Sequence, residues 1–310
     1  MHIFQCTAIF SIFAYALFYN WNLLKIQIGF LIAYYVMSYL IEKKYATPLR
    51  KKTAISTWNS PGDPQVFNNL EIDVEILDSF IAKHKKKFPD EKVTYTHLAL
   101  KSLAYTIKSI KNLNSTIAFG SFKQHDDVNI SCLVDINGSN LAPMLVKKCD
   151  KLSVGEIQQQ MRNKVKILKT KRDKSFNHQM SVVKLLHSSI VSLILSFTSF
   201  ISYALGKDVT FLKIKKFGFG IAIVTNCTDM EIYNSFAPLV PFTNSIFVVV
   251  LCKPRMRAIV DEKGNIVAKK IMNINVTFDH RYADGYQASL MVKSMYHFFN
   301  NMDTLAYKSE

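Results

Sequence analysis

Cysteine is scarce in this chain and unorganised. The five thiols, Cys6, Cys132, Cys149, Cys227 and Cys252, form no C-x-x-C pair and join no histidine cluster. An odd count without framework spacing argues against a disulfide scaffold or structural zinc and points to a reducing compartment. No cysteine has a partner histidine identifiable from sequence, so a thiol nucleophile is not indicated, although the neighbours of Cys227 matter below. Acidic residues are also few, 23 against 39 lysines and arginines, which leaves a net charge of +16. The lysines are spread along the chain with no nucleic-acid-binding motif among them, and charge alone reports only non-specific attraction to anions. Attraction to an anionic membrane or a phosphorylated substrate stays open. What the chain does have is apolar content, 49% hydrophobic and 12% aromatic over 310 residues, enough for one large domain or two modest ones and not of a disordered type.

Two apolar runs lie near the start. Residues 7–19 carry no charge, Asn20-Trp21-Asn22 breaks the pattern, and residues 23–41 are interrupted only by Lys25 and Gln27. The second run approaches the ~20 residues that a bilayer crossing needs, and the first is shorter. Neither a basic n-region nor a small-residue cleavage site supports a signal peptide, and scarce arginine and serine argue against a transit peptide. The expectation for residues 1–47 is a membrane hairpin, or one span with an interfacial segment. The competing reading is a pair of helices buried in a soluble core. Basic residues after the second run would keep the main domain on the cytoplasm- or matrix-like side.

From Pro48 the pattern turns to mixed polar and apolar. Strands are expected over 50–58 and 65–73, separated by the turn Asn59-Ser-Pro-Gly-Asp-Pro64. Leu77, Phe80, Ile81, His84 and Phe88 then recur at helical spacing, with His84 read as a packed or solvated residue and not a ligand. A second helix starts at Thr94, with Leu100, Leu103, Ala104, Ile107 and Ile110 on one face. Val128 to Ile136 alternates at period two, and Leu141–Val146 is its expected partner strand. Ser153-Val-Gly-Glu156 spells a capping box for a third helix. After a basic run, residues 181–206 form a hydrophobic insertion, uncharged from Ser188 to Gly206, with three readings: a buried helix, an interfacial membrane helix or, least favoured, a full span. Strands interleaved with helices and hairpins indicate an α/β (α+β) domain over 48–310.

The chemistry concentrates in Phe278-Asp279-His280-Arg281-Tyr282-Ala283-Asp284-Gly285. A β-branched run leads into it and an amphipathic helix leaves it, so His280 and Asp284 stand at a strand-to-helix corner, rigidly held and exposed. A metal reading of Asp279, His280 and Asp284 is poor for want of further ligands. His-x-x-x-Asp-Gly after a strand resembles the chloramphenicol-acetyltransferase-like acyltransferases, and Asp-His-Arg-x-x-Asp-Gly resembles the catalytic domain of 2-oxoacid dehydrogenase E2 components. The resemblance runs colinearly over roughly 49–300. It takes in Val93–Ala104, the pair Val128-Asn-Ile-Ser-Cys-Leu-Val-Asp135 and Leu141-Ala-Pro-Met-Leu-Val146, then Thr225-Asn226 and Phe236-Ala-Pro238.

That resemblance implies a chloramphenicol-acetyltransferase-like mixed sheet with flanking helices. The activity implied is CoA-dependent acyl transfer, from a thioester to a thiol or hydroxyl acceptor, with no tightly bound cofactor and no metal. His280 would be the general base and the Thr225 hydroxyl the oxyanion donor. Asp284 would pair with Arg50, while Arg281, Asn226 and Gly285 support the site, Gly285 by letting the helix start pack closely. Thr225 also reads simply as a strand-end threonine, and Asp284 as structural rather than catalytic. The resemblance further implies a homotrimer with the site between subunits, the base from one chain and the hydroxyl from the next. Two departures stand out. No lipoyl domain, peripheral-subunit-binding domain or Ala/Pro-rich linker precedes the domain, and the loop Cys227–Asn234 lacks the glycines usual there. They support the alternative of a catalytically silent structural or assembly subunit of a membrane complex.

Overall fold

The computed structural model describes residues 21–44, 64–110, 113–118, 121–136, 140–169 and 174–307. The run 7–19, the strand expected at 50–58 and Arg50 lie outside these residues. Helix α1, Trp21–Lys44, is formed by the second apolar run. Among the described residues, however, no helix is long and apolar enough to cross a membrane, so the span expected at 23–41 is not supported. Lys25, Gln27 and the tyrosines at 34, 35 and 39 dilute the run.

The core is a seven-stranded mixed sheet. Its strands are β1 (Gln65–Asp73), β4 (Ile130–Ile136), β5 (Asn140–Val146), β6 (Ala222–Asn226), β7 (Phe247–Leu251), β8 (Arg255–Val260) and β9 (Ile266–Asp279), with β2 (Ser115–Ala118) and β3 (Ser121–Gln124) forming a separate hairpin. The order is β1-β9-β7-β6-β4-β5, and β8 pairs with the first part of β9. Only β4–β6 and β6–β7 are parallel. β9 organises the sheet: residues 271–279 are buried between β1 and β7, whereas 266–270 leave the body with β8 as a projecting hairpin.

Helices α2 (Val74–Lys87), α3 (Tyr95–Ser109), α4 (Val154–Lys169) and α7 (Gly285–Asn300) supply the helical side of the core, and α8 (Met302–Leu305) closes the described chain. The expected capping box is formed: Ser153 Oγ accepts from Glu156 N at 3.2 Å and the Glu156 carboxylate accepts from Ser153 N at 2.8 Å. α3 departs from its one-faced pattern, because it is the central helix and buries polar positions as well. Lys101 is buried with its ammonium donating to the Asp150 carbonyl at 3.0 Å, and burial lowers its pKa. His84 is likewise a core residue, set between the Glu91 carboxylate at 2.8 Å and the Tyr307 hydroxyl at 3.3 Å.

The stretch between α4 and β6 folds as α5 (Lys174–Leu185), α6 (Ser188–Ser199) and a π-helical turn, Phe200–Ala204. Gly220 then takes φ +68°, and a Cβ there would lie 2.1 Å from the Asn129 carbonyl oxygen. Glycine is required at this point, where Ile221 N bonds Asn129 O at 2.8 Å and β6 enters beside β4.

Candidate active site

The β9–α7 corner is built by short-range contacts. Asp279 N still bonds the Ile246 carbonyl, extending the ladder, and the chain turns as Tyr282 N and Ala283 N bond Asp279 O. The buried Asp279 carboxylate receives Arg281 three times over, from the backbone N at 2.9 Å, Nε at 3.0 Å and the terminal guanidinium nitrogen at 2.6 Å. His280 lies between the two members of this pair, its N–H donating to Pro64 O at 2.8 Å and its side chain exposed. Asp284 is the N-cap of α7. Its Oδ1 accepts from Tyr286 N at 2.8 Å and Gln287 N at 3.1 Å, and Gln287 Oε1 accepts from Asp284 N at 3.0 Å. Such a cap contributes about 1 kcal/mol to the helix start. Tyr282 reaches sideways, its hydroxyl accepting from Ile117 N at 2.7 Å and its ring edge-on to Phe122, which ties the β2–β3 hairpin to the corner.

Gly285 does not meet its expectation within the protomer. A Cβ at that position would meet nothing within 4 Å, since the first residue of α7 faces open space.

Thr225 stands at the other end of the sheet. The ladder places it beside Val250, and Val250 beside Asn275. Asn275 is five residues before His280, so at ~3.3 Å per residue base and hydroxyl are separated by ~16 Å along the strands. One chain does not bring them together. Around Thr225 the contacts are long-range. Asn226 Nδ2 donates to Thr96 Oγ1 of α3 at 2.9 Å, and Asn226 Oδ1 accepts from Thr228 N at 2.8 Å. The Thr225 hydroxyl bonds the Cys227 thiol, whose pKa is raised because burial outweighs that bond.

The glycine-free loop 227–234 is fastened by side chains. Asn273 Nδ2 donates to Tyr233 O at 2.7 Å, and Asn275 Nδ2 to Asn234 Oδ1 at 2.7 Å and Ser235 O at 2.8 Å. Asn69 Nδ2 completes the set on Asn275 Oδ1 at 2.5 Å, and Glu231 pairs with Lys253. Asp279, Tyr282 and this asparagine set are the site residues that sequence reasoning missed. The signal available was Asn273-x-Asn275 within an otherwise apolar strand.

Among the described residues no group of three or more histidine, cysteine or acidic side chains could hold a metal ion. A polar cavity of about 50 Å³ lies elsewhere, lined by Asn114, Thr116, His125, Asn129 and Tyr203 among others. Burial, then the neighbouring Lys123, keep His125 below its ordinary pKa, and its Nε2 is 2.8 Å from Thr116 Oγ1. The space suits water rather than an acyl group.

The model of the 2-oxoacid dehydrogenases acyltransferase catalytic domain matches residues 41–181 and 210–307, more than half of the chain. The chain belongs to this family. Similar solved structures agree in fold. The cubic core of the pyruvate dehydrogenase multienzyme complex is 15% identical, with a TM-score of 0.60 over 83% of this chain and 88% of that one. The dihydrolipoamide acetyltransferase of Azotobacter vinelandii is 16% identical, with a TM-score of 0.58 over 85% and 89%, and its structure concerns the role of a serine, a histidine and an asparagine in catalysis. A probable dihydrolipoamide acetyltransferase from Listeria monocytogenes is 16% identical, with a TM-score of 0.57 over 84% and 92%. No curated protein matches the chain. The family match breaks at residues 182–209, so the end of α5, the whole of α6 and the π-helical turn lie outside the matched residues.

Proposed function

We propose that this acyltransferase-family domain moves an acyl group from acyl-CoA to a thiol or hydroxyl acceptor, with His280 as general base. The observation that carries the reading is an exposed imidazole, its backbone fastened to Pro64 and flanked by the pair of buried Asp279 with exposed Arg281, at the strand–helix corner of a family member. His280 takes the proton of the acceptor S–H or O–H while the acceptor attacks the thioester carbonyl carbon. The Thr225 hydroxyl of a neighbouring subunit donates to the oxyanion. The C–S bond then breaks, and the leaving CoA thiolate recovers the proton from His280. No covalent enzyme intermediate and no tightly bound cofactor are needed.

The reading includes a homotrimer with the site between subunits, supported by the ~16 Å separation of Thr225 and His280 along the strands of one chain, and exposed Met256, Val260 and Ile266 on the β8–β9 hairpin offer apolar surface for contact between copies. Asp284 serves as the helix cap that positions the corner, a supporting rather than reacting role. Arg281 supports His280 through Asp279, and Asn226 anchors the Thr225 strand. Arg50 is the partner of Asp284 in this reading. The domain works at a membrane on a reducing side, a reading supported by the four free thiols among the described residues and by the exposed apolar side chains of α1, such as Phe30, Ile32 and Met37.

A second reading, a catalytically silent structural or assembly subunit of a membrane complex, is favoured by the fastened, glycine-free loop 227–234. CoA-thiol release from acetyl-CoA and longer acyl-CoAs, with thiol and hydroxyl acceptors, separates the two. The full-length protein turns over and His280→Ala loses about 10² to 10⁴ in rate. Equal turnover in both proteins, or none in either across the panel, favours the silent subunit.

A further inference from the structure

The inserted helix α6 is amphipathic the wrong way round for a soluble protein. Its inward face carries Val191 (3% exposed) beside the hydroxyls of Ser192 (6%) and Thr198 (3%), followed by Ser202 (1%) in the π-helical turn. Its outward face carries Leu193 (52%), Phe197 (55%) and Phe200 (50%), spaced four and three residues apart as one helical stripe. The inward hydroxyls are satisfied locally: Thr198 Oγ1 donates to Leu195 O at 3.0 Å and Ser202 Oγ to Lys215 O at 3.2 Å. Polar groups are thus placed inside with partners, while three large apolar side chains face out. An outward apolar stripe on a helix that lies outside the family match is a surface made for an apolar partner.

The charge around the stripe names that partner. From Leu185 to Gly206 the chain has no acidic residue, lysine or arginine, its one titratable side chain being the buried His187, and beside this stretch stand the exposed lysines 184, 207, 213, 215 and 216 against the single acid Asp208. An apolar stripe with a cationic border is the pattern of a helix lying in the headgroup region of an anionic bilayer. We propose that residues 182–209 dock the catalytic domain onto an anionic membrane surface, with the Leu193–Phe197–Phe200 stripe entering the lipid and the lysines meeting the headgroups.

The docking end of the molecule is the end that carries the base. Asn244 Nδ2 donates to Ser199 Oγ at 2.6 Å, and two residues later the Ile246 carbonyl accepts from Asp279 N at 3.1 Å. The same helical segment leans on β2, which Tyr282 ties to the corner. Resting on the acyltransferase reading, this seating turns the His280 end of the sheet toward the lipid surface. It goes beyond attachment by α1, since it names the contact surface within the catalytic domain.

Bromolipid quenching in the full-length protein tests the seating. Fluorescence of Phe197→Trp is compared with that of the parent, whose own tryptophans are Trp21 and Trp58, and with Ile76→Trp on α2, on vesicles of brominated phosphatidylcholine with and without phosphatidylserine. The added signal of F197W is roughly halved on phosphatidylserine vesicles while that of I76W is kept, and Lys207→Gln and Lys213→Gln each weaken the binding about five-fold. Absence of F197W quenching on vesicles that the protein does bind overturns the proposal. So does dissociation of a solution oligomer by Leu193→Glu/Phe197→Glu, which would make a second copy the occupant. Turnover of soluble acyl-CoA by that double variant stays at the parental rate, and its loss would assign the stripe to the domain's own packing. If the parent shows no turnover at all, the acyltransferase reading fails while the quenching result still decides the docking.

Discussion

The two ends of the central sheet hold their polar residues by opposite means. At the His280 end the ion pair and the helix cap are short in sequence, Asp279 to Arg281 and Asp284 to Tyr286 and Gln287, while His280 N to Pro64 O and Tyr282 to Ile117 tie the corner to distant segments. At the Thr225 end they are long: Asn226 to Thr96, Asn275 to Asn234, Asn69 to Asn275. A corner assembled from neighbours forms whenever its strand and helix form. A site assembled across the sheet exists only when several elements dock together, and each missing partner leaves a buried polar group without a bond. Damage at the first end should therefore show in rate, and damage at the second in stability.

The largest effect that bears on this contrast is His280→Ala. It removes about 10² to 10⁴ of turnover with the unfolding midpoint unchanged, read from CoA-release kinetics alongside urea unfolding. A large fall in stability would mean that the imidazole also packs, and the contrast would weaken. Asn275→Ala reverses the pattern. It removes a fully buried amide and its bonds to Asn69, Asn234 and Ser235, which at about 1 kcal/mol each costs on the order of 3 kcal/mol in urea unfolding, and a loss under 1 kcal/mol would show that the loop does not depend on this set.

Acid sharpens the comparison further. Burial holds His97 near a pKa of about 4, and its Nδ1 accepts from Thr94 N at 2.9 Å, a bond that needs the neutral ring. The folded pKa lies below the ordinary value of 6.5, so the folded state binds fewer protons. The resulting stability is fully present above pH 6.5 and is lost as pH falls from there toward about 4, on the order of 3 kcal/mol in all. His97→Gln keeps a capping side chain and should flatten the profile between those limits, and an unchanged acid profile would put the effect elsewhere. Because Thr96 adjoins His97 and holds Asn226, the Thr225 end loosens first. The smallest effect is Asp284→Ala, about 1 kcal/mol from the lost α7 cap, with Asp284→Asn close to the parent in both stability and rate. A rate loss in D284N comparable to that of H280A would give Asp284 a reacting role and not a supporting one.

Much of the fold was legible in the sequence because its signals are local. Period-two runs gave β4, β5 and the end of β9, helical spacing gave α2, α3 and α4, and Ser153-x-x-Glu156 announced a cap that the structure forms. The colinear motifs gave the family, and the family match bears that out. Less legible were the buried polar positions. Asn273 and Asn275 look like interruptions in an apolar strand until Tyr233, Asn234 and Ser235 are brought over them. Residues 181–206 admitted several readings, because apolar spacing shows which residues share a face and not which face points inward.

The sequence by itself located the strand–turn–helix corner with His280, because the Asp279–Arg281 pair and the Asp284 cap join side chains to partners two to three residues away. The tertiary structure alone decided that Thr225 lies ~16 Å along the strands from His280 and that the asparagines latch the loop. It also decided that α6 turns its phenylalanines outward. Each of these depends on contacts between segments tens to hundreds of residues apart, and local periodicity carries no record of such pairings.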